Sequence, residues 1–317
     1  MNVEETGTTR VAVIGAGLVG ATFAYALMIS GLVSEIVLVD ADHERAVGEA
    51  MDLSHGVPFV RNVQVWAGDY DDVRDADITV ITAGANQKPG ETRLDLVKRN
   101  LAILRDIIAR VTASENRGII VVVANPVDVL AYAAWKLSGL PAGRVIGSGT
   151  ILDTARFRHH IGRHFRVDPR SVHAYIVGEH GDSEVALWSS ANIGNVPLEQ
   201  FEAYDEAALA QIFEETRTAA YQIINRKRAT YYAIGLGVTR LVEAILHDQR
   251  SVLSVSTLVQ GEYGVEGIYL SLPCVVGAGG VLARLSPPIS SDEIAGLHAS
   301  AGVLRATLAE VGLVRDG

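Results

Sequence analysis

Three short stretches of this chain hold residue types at spacings that chemistry could use. In VGEHGDSE, His180 follows an apolar strand and precedes Gly181. Imidazole is the side chain best suited to moving a proton near neutral pH, so His180 is either an acid–base group or a surface residue in a turn. In GSGTILDTARFR, Asp153 and Arg156 are three residues apart and share a helix face. They are either an intrahelical ion pair, worth roughly a few tenths of a kcal/mol, or two separate tools. As tools, Asp153 would orient His180 and stabilise its protonated form, and Arg156 would grip a carboxylate through a two-pronged bond. The third stretch is VAVIGAGLVGATFAYALMISGLV, residues 11–33, in which Gly15, Gly17 and Gly20 fall at G-x-G-x-x-G spacing.

That third stretch has no charge from Val11 to Ser34, which raises the question of a membrane span. Its glycines answer against one. VAVIG is a β-branched strand, ATFAYALMIS a helix with Gly31 as its stop, and EIVLVD a second strand closing on Asp40. Strand, glycine turn, helix and acid-tipped strand form a βαβ unit that binds a dinucleotide. Gly15 allows the tight turn, Gly17 lets the backbone approach a pyrophosphate, and Gly20 packs the helix on the strand. The helix N-terminus offers N–H groups to the phosphates. Asp40 sits where it can accept hydrogen bonds from a ribose and would repel a 2′-phosphate, so NAD is expected over NADP. Arg45 is a weak candidate to reverse that preference. A nicotinamide passes a hydride, and the carbonyl that accepts it also needs a proton, which gives His180 a task.

Elements must position these groups. Residues 45–55 read as a helix, VQVWAG as a strand, ADITVITAG (76–84) as a buried strand, and 94–114 as a helix. GIIVVVANP (118–126) reads as a strand, PVDVLAYAAWKLSG as a helix stopped by Gly139, and RVIGSGT as a sixth strand. This alternation predicts an α/β fold, a doubly wound parallel sheet of Rossmann type. After about residue 150 the pattern changes to long helices over ILDTARFRHHIGRHF and EAALAQIFEETRTAAYQIINRKRATYYAIGLGVTRLVEAIL, alternating with β-rich stretches. The expectation is a loose tail over 1–9, a dinucleotide-binding domain over 10–149, and a mixed α+β catalytic domain over 150–317. Ligands in such sheets bind beyond the carboxyl ends of the strands, where TAGANQKPGETR, VANPVD and VIGSGT lie.

Bulk properties remove other classes. The net charge of −10 argues against a nucleic-acid partner. One cysteine, Cys274, excludes an internal disulfide and a multi-cysteine zinc site. The leader MNVEETGTTR is acidic, unlike an export signal. The expectation is a cytoplasmic protein with no membrane partner. His160 and His164 are four apart, but no acid completes a site, so no metal is expected.

Taken together, GAGLVG, NQKPGETRLDLVKRN, ANPVD, GSGTILDTARFR, GEHGDSE and ATYYAIG resemble the lactate/malate dehydrogenase family, and within it the L-lactate dehydrogenases. The resemblance runs from about residue 10 to near the C-terminus. It implies that His180 is the acid–base residue with Asp153 as partner, and that Arg156 binds the substrate carboxylate. Arg93, on a mobile loop, would polarise the substrate carbonyl once the loop closes. Asn125 would hydrogen-bond the reacting oxygen, and Thr230 would line the substrate pocket. The cofactor contacts would be Gly15, Gly17, Leu18, Val19, Gly20 and Asp40, with Ser148 at the nicotinamide amide and Ile234 under its ring.

The resemblance also addresses substrate and regulation. Malate dehydrogenases similar to this chain carry Arg where it has Gln87. A second carboxylate buried beside a neutral Gln87 would lack a counter-charge, at about several kcal/mol, so pyruvate and L-lactate are expected, and a malate or other 2-hydroxyacid dehydrogenase is the alternative. The family often has K-G-A-T where this chain reads Lys227, Arg228, Ala229, Thr230. Members activated by fructose 1,6-bisphosphate carry an Arg and a His that match Arg158 and His173. These would face a subunit boundary in a homo-oligomer, a tetramer in that family, or they are plain surface charge.

Overall fold

In the computed structural model, which describes residues 8–85, 90 and 92–314, the uncharged N-terminal run is divided between elements. β1 (Arg10–Ile14) enters the glycine turn, α1 (Leu18–Ser30) leaves it, and β2 (Glu35–Val39) returns beside β1. The run is apolar because both pieces are covered by protein: Val11, Ala12, Val13, Phe23, Ala24 and Leu27 are fully buried. α1 stops at Gly31, which takes the left-handed conformation. Among the described residues no helix is long and apolar enough to cross a membrane.

Alternation continues through α2 (His43–Gly56), β3 (Gln64–Ala67), α3 (Tyr70–Val73), β4 (Ile78–Ile81), α4 (Arg93–Ala113), β5 (Ile119–Val122), α5 (Val127–Ser138) and β6 (Val145–Gly147). These strands pair in parallel in the order β3-β2-β1-β4-β5-β6. The direction of winding switches between β1 and β4. A crevice opens beyond the carboxyl ends of those two strands, where such sheets bind ligands.

The second half contains α6 (Ile151–Phe165), the short strands β7 (Val172–His173), β8 (Ile176–Val177), β9 (Val185–Ala186), β10 (Asn192–Ile193) and β11 (Val196–Pro197), then α7 (Glu206–Lys227) and α8 (Tyr232–Leu246). The long strands β12 (Ser251–Gln260), β13 (Glu266–Gly277) and β14 (Gly280–Arg284) follow, and α9 (Ser291–Glu310) closes the chain. β12 joins the first sheet antiparallel to β6, with Ser256 opposite Gly147, and extends it to nine strands. Gly147 permits this seam, because a Cβ there would lie 2.8 Å from the Cβ of Ser256. Part of the second half therefore packs on the core of the first, through Leu241, Leu272 and Leu304. A separate core forms between α6, α7 and the short strands, from Phe157, Ile161, Val172, Ile176, Leu209 and Ile212.

The run from Glu206 to Leu246, which reads as continuous helix, is broken between Lys227 and Tyr232. Arg228 caps α7 in the left-handed conformation at φ +72°. A chain in that conformation leaves the helix axis, and α8 starts in a new direction against α1. Gly235 allows the contact, since a Cβ there would sit 3.0 Å from Thr22.

Candidate active site

The crevice at the switch point has a volume of about 810 Å³ and is lined by Gly15, Gly17, Asp40, Tyr70, Thr82 and Ala85, among others. Two glycines of the adjoining turn and helix are required by the fold. Gly15 has φ +107°, and a Cβ on it would lie 2.5 Å from the Ala83 nitrogen. A Cβ on Gly20 would lie 1.9 Å from the Gly15 carbonyl oxygen. Gly17 differs, because a Cβ there would meet nothing within 4 Å. Its bare face opens on space, and it heads α1 with no side-chain cap. An uncapped helix start beside an open glycine leaves backbone N–H groups for an anion, so this cradle fits a pyrophosphate.

Asp40 stands at the tip of β2. One carboxylate oxygen accepts the Ala16 N–H at 2.6 Å and the other accepts the Asp42 N–H at 2.9 Å. The acid that could receive a ribose is thereby also the brace of the glycine turn. Arg45 lines the same crevice. Leu18 is exposed and Val19 packs against the core. Ser148 is buried just beyond β6 and donates its N–H to Val122. Ile234, partly buried, lies on α8 one residue before the Gly235 contact with α1.

α6 and the turn after β8 bring three groups together across the sequence. His180 Nδ1 lies 2.6 Å from one oxygen of Asp153, and Arg156 donates to the other at 2.9 Å. The helical spacing and the shared task are therefore both realised. The Asp153 side chain is 4% exposed and that of Arg156 12%, so this is a buried pair whose charges depend on each other. Nδ1 is taken, which leaves Nε2 as the ring atom able to exchange a proton with a ligand. Burial alone would lower the proton affinity of His180. The charge and hydrogen bond of Asp153 and the charges of Asp128 and Glu184 outweigh it and push the imidazole up to about 9. Burial also disfavours the carboxylate of Asp153, but His180 and Arg156 hold its carboxyl below the usual range.

Residue reading alone missed three acids around this imidazole. Asp128, at the start of α5, accepts the backbone N–H of His180 at 2.8 Å, and burial pushes its carboxyl up to about 6. Glu184 is 7% exposed, and one of its oxygens has no hydrogen-bond partner among the described residues. Burial and the charge of Asp153 push it up to about 8. Glu179, also buried, receives Arg93 at 2.5 Å. The one sequence signal for Asp128 is an acid in the first turn of a helix that is then apolar as far as Trp135. For the two glutamates it is only proximity to His180.

The remaining expected residues are placed as follows. Arg93 is the first residue of α4 rather than part of a loop, because Thr92 and Asp95 form a capping box that begins the helix there. Asn125 accepts the Val127 N–H on its side-chain oxygen at 3.3 Å, which leaves its amide N–H groups for a ligand. Its backbone carbonyl accepts from Asn100 at 2.8 Å. Thr230, partly buried, sits in the break between α7 and α8. Gln87 lies outside the described residues. Arg158 donates to the carbonyl of Ala174 at 2.8 Å and stacks 4.7 Å over the ring of Tyr175. This brings it to the strand end that carries exposed His173. His160 points to Glu215 at 3.6 Å and His164 to the Ala203 carbonyl at 2.7 Å.

Comparison with known proteins follows the same division of the chain. Residues 9–147 match the family described as lactate/malate dehydrogenase, NAD binding domain, and residues 150–312 match its alpha/beta C-terminal domain. The chain is 50% identical over 311 residues to an L-lactate dehydrogenase of Clostridium botulinum, covering 96% of this chain and 98% of that one. It is 50% identical over 307 residues to one from a Thermoanaerobacter species, covering 95% and 99%. Its fold superimposes with a TM-score of 0.95 on the minor L-lactate dehydrogenase of Enterococcus mundtii in the ligands-bound form, at 47% identity over 97% of this chain and 99% of that one. The chain belongs to the lactate/malate dehydrogenase family.

Proposed function

We propose that this protein is an NAD-dependent L-lactate dehydrogenase that interconverts pyruvate and L-lactate. The observation that carries the reading is the Asp153–His180–Arg156 cluster, built on the buried Asp153: one group to hand over a proton, one to keep it charged, one to hold a carboxylate. When bound, the nicotinamide supplies the hydride to the carbonyl carbon. His180, protonated at neutral pH, gives its Nε2 proton to the carbonyl oxygen and so completes the hydroxyl of lactate. Asp153 stabilises the charged imidazole before the transfer and fixes the ring so that Nε2 faces the oxygen. Arg156 anchors the substrate carboxylate. Arg93 and the amide of Asn125 oppose the charge that builds on the oxygen. Lactate oxidation runs the same steps backwards, with neutral His180 as base.

Gly15, Gly17, Leu18, Val19, Gly20 and Asp40 are proposed to hold the adenosine and pyrophosphate of NAD, and Ser148 and Ile234 the nicotinamide. Residues 10–149 form the cofactor unit and 150–317 the substrate unit. Gln87 is proposed to select pyruvate over oxaloacetate, since it offers no counter-charge to a second carboxylate. Arg158 and His173 are proposed to bind fructose 1,6-bisphosphate at a boundary between subunits of a homotetramer, and the protein is proposed to act in the cytoplasm. The test is kcat/KM with NADH for pyruvate against oxaloacetate, with and without fructose 1,6-bisphosphate. Pyruvate is expected to win, and faster oxaloacetate turnover rejects the reading of Gln87. An unchanged pyruvate rate on adding the bisphosphate rejects the activator site.

A further inference from the structure

Glu179 is a buried carboxylate held through both its side chain and its backbone. One oxygen accepts the Ser183 hydroxyl at 2.5 Å, and its backbone N–H donates to Ser300 at 2.7 Å. Ser183 and Ser300 are themselves 3.2 Å apart. The carboxylate folds over Gly181, where a Cβ would come within 3.0 Å of its carboxyl carbon. Gly181 does not have a positive φ, so the glycine after His180 serves to leave room for Glu179. The other oxygen of this fixed group meets Arg93 Nη2 at 2.5 Å.

The two partners differ in what they lose on separation. The Arg93 side chain is 59% exposed and that of Glu179 5%. Arg93 would regain water if it left, whereas Glu179 would become a buried charge without a counter-ion, which is strongly unfavourable. The pair is therefore asymmetric: a buried, hydrogen-bonded anion set one residue before the imidazole holds an exposed cation that starts α4. A guanidinium carries five donors on a planar fork. One edge on Glu179 leaves others for a ligand. Resting on the reading that Arg93 polarises the substrate carbonyl, we propose that Glu179 is a positioning residue that fixes the Arg93 guanidinium beside the site and acts on the reaction only through it.

The test is a double-mutant cycle read by pyruvate reduction with the full-length enzyme. Glu179→Gln keeps the shape and the ability to accept from Ser183 but removes the charge that holds Arg93. It is expected to lower kcat by about tenfold or more, the scale of a misplaced catalytic group, with little change in the KM for NADH. In an Arg93→Ala background the same change is expected to leave the residual rate within about twofold, because a residue that acts through Arg93 has nothing left to act on. An equal loss in both backgrounds overturns the proposal and makes Glu179 a support of His180. Faster turnover by Glu179→Gln also overturns it, by showing that the pair holds Arg93 out of use. If Arg93→Ala reduces pyruvate at the wild-type rate, the role of Arg93 falls and the proposal with it. If Arg93→Ala is slow and Glu179→Gln matches wild type, only the proposal falls. Should Glu179→Gln fail to fold, Ser183→Ala loosens the same carboxylate and is expected to show a smaller loss with the same dependence on Arg93.

Discussion

At the scale of single residues, protonation of His180 decides how the reaction responds to pH. Burial works against the charged ring, and the charge of Asp153 is the largest influence working for it. Pyruvate reduction needs the proton in place, so its kcat/KM should be flat at neutral pH and fall about tenfold per unit above the His180 value near 9. Lactate oxidation needs the neutral ring and should rise through the same region. In Asp153→Asn burial dominates, and the alkaline limb of reduction should move down by roughly a pH unit or more, with a large loss in kcat. A pH–rate profile that leaves the limb in place rejects the pairing. The glycines give a second contrast. Gly20→Ala puts a Cβ 1.9 Å from a carbonyl oxygen and should cost about 1–3 kcal/mol in stability by urea unfolding. Gly17→Ala meets open space and should fold normally but weaken NADH binding, read by fluorescence titration. His180, Asp153, Arg156 and the glycines were legible because each belongs to a local pattern. Glu179 and Asp128 were not, because their partners Arg93 and His180 lie 86 and 52 residues away, and no local spacing records such a contact.

At the scale of elements, the break between α7 and α8 shows where sequence pattern and backbone conformation part. The apolar periodicity continues across it, so the run reads as one helix. What ends α7 is Arg228 in the left-handed conformation, a place where glycine is the usual choice. The Lys-Arg-Ala-Thr departure from Lys-Gly-Ala-Thr thus falls on the position whose φ favours glycine. Arg228→Gly should remove a left-handed strain of about 1–2 kcal/mol and lose part of that gain to the freer unfolded chain. The net expectation is a stabilisation of up to about 1 kcal/mol, seen as a higher urea midpoint at constant slope. A destabilised variant would mean that the Arg228 side chain contributes more than its backbone costs. The parallel strands were legible for the opposite reason: each is a short apolar run bounded by turn residues and followed by a helix. The joining of β12 to β6 was not, because it depends on one close approach, Ser256 over Gly147, between segments 109 residues apart.

At the scale of the whole molecule, one sheet carries residues from both halves, so the cofactor crevice and the His180 cluster are held by a shared frame. The surface of that frame carries exposed apolar side chains. α1 and α8 pack on each other through Gly235, and both turn large apolar side chains outward: Tyr25 and Ile29 on α1, Tyr232 and Leu236 on α8, each more than half exposed. Phe59, after α2, is 89% exposed. Apolar side chains clustered on neighbouring elements mark an interaction surface, and a closed homo-oligomer buries such a patch on every copy at once. Leu236 also lines a cavity of about 450 Å³ with Arg158, Arg170 and Arg240, so this face is continuous with the region of Arg158. Sedimentation of the wild-type protein should give a homo-oligomer, and Leu236→Arg should shift it to smaller species as protein concentration falls. The variant should also lose any response to fructose 1,6-bisphosphate if Arg158 and His173 act across that boundary. A wild-type protein that sediments as a monomer at micromolar concentration rejects the interface. A Leu236→Arg variant that stays assembled assigns the contact to a face that α8 does not share.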